Sequence, residues 1–127
     1  MAIQYQVNIQ ITAGCDFRQE FTLANPDLTP KVITGANFMA GMAKHAVSID
    51  AYLSTSEKPV YKITPFTTSV VDGNGGVYSI GMTAAETQKL KEGKYVYNVI
   101  LEDVNGTKSE VVSGLVFVEK GFASLLT

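Results

Sequence analysis

The stretch IQYQVNIQIT, Ile3 to Thr12, alternates without a break. Ile3, Tyr5, Val7, Ile9 and Ile11 fall on one side, and Gln4, Gln6, Asn8, Gln10 and Thr12 on the other. A period of two over this length predicts a β-strand (3–12) with one apolar face and one wetted face. The wetted face is amide and hydroxyl only, and the first charged side chain is Asp16. Edge strands are ordinarily guarded by charge, proline or a bulge. An unguarded row therefore raises the question of what it meets.

The same period recurs downstream. In FRQEFTL, Phe17, Phe21 and Leu23 point inward while Arg18, Glu20 and Thr22 point outward. ANPDLTPK, with two prolines, is a loop. ANFMAGMA, Ala36 to Ala43, is apolar on both parities, as a strand buried on both faces or a short helix would be, and Gly41 and the β-branched runs after it favour the strand. AVSIDAYL alternates again, and VYKITPFTTSVV is strand-like with a break at Pro65. DGNGG is a tight turn before the strand VYSIGM. KYVYNVILED and KSEVVSGLVFVEK flank VNGT as a hairpin. One helical signal stands among them, a short helix near residues 83–91. Thr83 is its N-cap, Glu86 completes a capping box, Leu90 is its apolar anchor and Gly93 its stop. Seven to nine short strands at such spacing, by count of these runs, predict an all-β, antiparallel β-sandwich.

A chain of 127 residues fits one domain, 1–127, and is long enough to fold without metal or disulfide. Ten basic against twelve acidic residues, net charge −2, offer no concentrated basic face for nucleic acid. The start shows no signal peptide, and no run of about 18 apolar residues suggests a membrane span. The expectation is a compact chain made in the cytoplasm.

Chemistry is sparse. His45 is the single histidine and Cys15 the single cysteine, too few to build a thiolate or imidazole metal site. His45 reads as an exposed turn residue, and Cys15 as a small, semi-buried corner residue. As a nucleophile Cys15 would need His45, a third orienting group and backbone donors. DGNGG has Val77 and Thr83 where a calcium loop requires glycine and glutamate. No Lys-Ser/Thr pair follows its glycines, which excludes a phosphate loop. Glu102 and Asp103, adjacent on a strand, point to opposite faces. Tyr95 and Tyr97 form a core stripe with Val99 and Leu101. The expectation is no enzyme, no cofactor, no metal and no small-molecule substrate.

Set side by side, TAGCDFRQEFTL (Thr12–Leu23), the step Ile33–Ala36 into NFMAGMAK, and GGVYSIGMTAAETQKLKEGKYVYNV (Gly75–Val99) carry a family pattern. The chain resembles the small immunoglobulin-like domains of tailed-bacteriophage virion components, such as the N-terminal domain of upper baseplate proteins. Asn98 stands where that family has aspartate, and Asn25–Lys31 lacks its acidic-glycine turn. The resemblance implies an immunoglobulin-like sandwich and a structural role in tail, baseplate, neck or head, with other virion proteins and copies of itself as partners. Gln4, Gln6, Asn8 and Gln10, with Phe122, Leu125 and Leu126 of the tail 121–127, are the candidate contacts. Two readings stay open, since the strand can lie inside its own sheet and the tail can cover its own core. The competing function is a module gripping host glycan through Tyr52, Tyr61 or Tyr78, a reading weakened by the absence of tryptophan.

Overall fold

A computed structural model describes residues 5–44 and 63–126, with only the backbone described for Tyr5, Ser124 and Leu125. His45, the run Ala46–Leu53, Tyr52, Tyr61 and Gln4 lie outside the described residues. The chain is an all-β sandwich of two sheets. The first contains β1 (Tyr5–Gln6), β2 (Ile9–Ala13), β4 (Asn37–Ala43), β5 (Thr64–Pro65), β8 (Gly93–Glu102) and β9 (Lys108–Lys120). The second runs β3 (Phe17–Thr22), β7 (Val77–Met82), β6 (Thr67–Asp72). The helix α1 (Ala84–Gln88) carries the chain from β7 to β8, and a 3-10 turn, Phe122–Leu126, follows β9.

Among the described residues every pairing is antiparallel except two. β1 and β2 both run parallel to β9, with Tyr5 opposite Val112 and Ile9 opposite Val116. The offset is the same on both sides of the gap at Val7–Asn8, so the first strand is interrupted without slipping register. A first strand parallel to the last departs from the purely antiparallel expectation. Parallel neighbours need a long connection, and here nearly the whole domain provides it.

Between the sheets lies one core. Ile9 and Ile11 enter it from β2, Tyr97, Val99 and Leu101 from β8, and Val112 and Val116 from β9. Tyr78, Ile80 and Met82 of β7 face them. Phe38 stacks on Tyr78 with ring centroids 4.3 Å apart, and Phe66 meets Phe17 at 6.0 Å and Tyr97 at 6.2 Å. Phe66 also marks where the chain changes sheets, its N–H donating to the Ala40 carbonyl at 2.9 Å between β5 and β6. The break therefore falls just after Pro65.

The Tyr78 hydroxyl is buried and has no hydrogen-bond partner among the described residues. An unsatisfied buried hydroxyl carries its desolvation penalty without return. Removing it in Tyr78→Phe keeps both ring contacts, and a gain of about 1 kcal/mol in urea unfolding is expected. A loss of similar size would mean that the hydroxyl is satisfied in solution.

Three expectations need correction. β4 is a strand, but it is not buried on both faces along its length: Met42 is buried, whereas on the other side Met39 is 43% exposed and only Ala43 is buried. The composition of a strand does not show whether a further layer covers its second face. Gly93 does not stop the helix. α1 closes at Lys89 in right-handed conformation, and Gly93 opens β8 with φ 140°. Cys15 is exposed, and it is its backbone carbonyl that makes a structural contact.

Candidate functional site

The row picked out by the alternation lies at the outer edge of the first sheet. Among the described residues, β1 and β2 pair with β9 alone. Ile9 and Ile11 are buried, while Gln6, Asn8, Gln10 and Thr12 are exposed. The backbone alternates as well. Val7 donates its N–H to the Ser113 carbonyl at 2.9 Å. Its odd-numbered neighbours therefore turn their main-chain groups toward β9, and Asn8, Gln10 and Thr12 turn theirs outward. The Thr12 carbonyl is partly engaged, since it accepts the Cys15 N–H at 3.1 Å. Those of Asn8 and Gln10 have no partner along the edge among the described residues.

Three groups hold this strand at the gap. Tyr97 and Gly114 are direct partners across β8 and β9. With no side chain at Gly114, the Tyr97 hydroxyl donates to the Val7 carbonyl at 2.6 Å. The ladder N–H that would ordinarily use that carbonyl, Leu115, donates instead to Asn8 Oδ1 at 3.1 Å. Asn8 thus spends its side chain within the chain, whereas the exposed Gln6 and Gln10 side chains have no partner among the described residues.

Burial pushes the Tyr97 hydroxyl up to about 12 from its ordinary 10.0, and it raises Tyr95 and Tyr78 in the same direction. A folded-state value above the unfolded one means that this stability is present below pH 10 and is lost as pH rises toward about 12. Urea midpoints should accordingly be level up to about pH 10 and fall steeply beyond it, with the Tyr97 ring, followed by residue-resolved NMR, ionising only on unfolding. A Tyr97 ring that ionises near pH 10 in folded protein would contradict this.

The far end of β2 is braced. The corner after it crosses to β3, and α1 packs on that corner. Asp16 Oδ1 accepts the Ala84 N–H at 2.7 Å, beside the Thr83–Glu86 capping box. The fully buried Thr87 hydroxyl accepts the Gly14 N–H at 3.1 Å and donates to the Cys15 carbonyl at 2.8 Å. The corner and helix motifs, far apart in sequence, are therefore one joint. Next to it, Phe122 and Leu126 of the tail are 76% and 88% exposed. The tail does not cover its own core with these two side chains.

A second feature is a groove of about 370 Å³ on the outer face of the first sheet, lined by Met39, Gly41, Ile63, Val96 and Ile100. At its polar end, Asn98 Nδ2 donates to Glu110 at 3.0 Å. Composition did not announce this groove, because β4 reads as apolar on both faces. Among the described residues no group of three or more His, Cys, Asp or Glu is placed to hold a metal ion. Tyr78, Tyr95 and Tyr97 are buried, so none of them is a surface platform for sugar. No described helix is long and apolar enough to cross a membrane.

No family model and no curated protein matches the chain. Among solved structures it is similar to the sialic acid binding region of a Streptococcus sanguinis SK1 adhesin bound to 3'sLn, at 17% identity over 94% of this chain, with a TM-score of 0.47. The chain spans 29% of the length of that adhesin region. It is also similar to the PmoD soluble domain from Methylocystis sp. ATCC 49242, at 14% identity over 87% of this chain and 77% of that one, with a TM-score of 0.42. Neither likeness is close enough to bring a ligand or a partner with it.

Proposed function

We propose that the chain is a non-enzymatic structural subunit of a bacteriophage virion, made in the host cytoplasm and working by presenting surfaces to neighbouring subunits. The observation that carries this reading is the edge of β1 and β2, exposed, uncharged and unpaired among the described residues. Added strands bind such edges through main-chain hydrogen bonds, and a free-standing protein gains by guarding them. The resemblance of Thr12–Leu23 and Gly75–Val99 to virion domains supports the same reading, as do the exposed Phe122 and Leu126. Burying those two side chains on a partner is worth about 3–6 kcal/mol before ordering costs.

Mass spectrometry of purified particles and their subassemblies tests the role. The chain should be present in stoichiometric amount, and removal of residues 121–127 should lower its incorporation. Absence from particles would overturn the proposal, and specific binding on a glycan array would turn it toward host recognition.

A further inference from the structure

The two sheets have four outer edges among the described residues, and three carry a guard. β3 bears the exposed pair Arg18–Glu20, in contact at 2.8 Å. β5 is two residues long and ends in Pro65. β6 has a bulge between Val70 and Asp72 and ends in a carboxylate. Charge, proline, shortness and bulges are the standard means of preventing edge pairing. On β2, Ile9–Ala13 has none of them.

Resting on the assembly reading above, we infer that the partner of this edge is a second copy of the same edge, paired antiparallel about a two-fold axis at Gln10. In that register Gln10 faces Gln10 of the other copy, and Asn8 faces Thr12. Every facing pair is neutral and able to hydrogen-bond, whereas like charges directly opposite would repel. Gln10 exchanges two main-chain bonds with its counterpart, and each of the two Asn8–Thr12 pairs exchanges two more, about six bonds in all. The Thr12 carbonyl keeps a lone pair for the Asn8 N–H beside the bond it already accepts from Cys15. An isologous contact of this kind closes on itself as a dimer and continues the first sheet across two molecules. Phe117, adjacent to Gln10 in register and 42% exposed, flanks the seam with apolar surface.

The test uses charge at the axis. Gln10 is exposed and its main-chain groups point away from β9, so Gln10→Lys and Gln10→Glu leave the core and the β9 ladder intact. Sedimentation equilibrium of the wild-type chain should show a monomer–dimer equilibrium. Each variant alone should be monomeric at concentrations where the wild type is at least half dimeric, and an equimolar mixture of the two should regain the dimer. The neutral Gln10→Thr should stay dimeric and guards against an effect of mere substitution. A wild type that is monomeric throughout, a dimer indifferent to Gln10→Lys, or a mixture that fails to re-pair would each overturn the inference. The role in particles stands apart from this result. A monomeric chain still found in particles defeats the self-pairing alone, and a dimer absent from particles defeats the virion role alone.

Discussion

Gly114→Ala should lower stability by about 2–4 kcal/mol and loosen the first strand more than any other part of the fold. A β-carbon on Gly114 would run into the Val7 carbonyl oxygen, lie 2.8 Å from the carbonyl carbon and press on Asn8 Oδ1 at 3.2 Å. Two of these atoms are backbone, so no side-chain rotation relieves the contact and the strand must move. Three bonds are then at risk together: Val7 to Ser113, Tyr97 to Val7, and Leu115 to Asn8. Ile9 and Ile11, 4% and 1% exposed, lose their fit to the core as the strand lifts. Urea unfolding measures the total effect, and residue-resolved amide exchange shows where it falls. Ile9 and Ile11 should exchange much faster while Val99 and Tyr78 keep most of their protection. An unchanged midpoint would show that the strand is not held at this point.

Thr87→Val is the second large effect, about 2–4 kcal/mol, although the side chains are nearly equal in size. The threonine hydroxyl is fully buried and serves the Gly14 N–H and the Cys15 carbonyl, with the Ala84 carbonyl also within 3.1 Å. Valine fills the space and offers no polar atom. The corner is then left with a donor and an acceptor unpaired against the fully buried residue 87, and each such orphan costs about 1–3 kcal/mol. Thr87→Ser, which keeps the hydroxyl and loses one methyl, should recover most of the difference in urea unfolding. If serine and valine were equally damaging, packing would be the cause and the hydrogen bonds incidental.

Over Gln6–Thr12 the alternation was enough to sort the two faces, because burial on a strand follows parity alone. Parity is silent about the neighbour. Nothing local indicates that β2 lies parallel to a strand more than a hundred residues away, or that Gly114 is needed for that approach. The Gly114 position reads only as a weak point inside a long strand. The capping residues Thr83 and Glu86 were legible, since their partners are three residues apart. Thr87 was not, because its partners lie in another part of the chain. Gly93 was misread for a related reason: a glycine after a short helix is a frequent stop, and its positive φ is here used to open β8 instead. The uncharged row was visible from the outset, and the structure adds that its main chain is turned outward as well.

Residue-resolved amide exchange along Val7–Ala13, in the dilute chain and in the assembled state, tests most directly whether this edge is where the protein meets its neighbours. The N–H groups of Ile9, Ile11 and Ala13 should be protected in both states, and those of Asn8, Gln10 and Thr12 only after assembly. Asn8 and Gln10 amides that exchange at the same fast rate in both states would contradict the account.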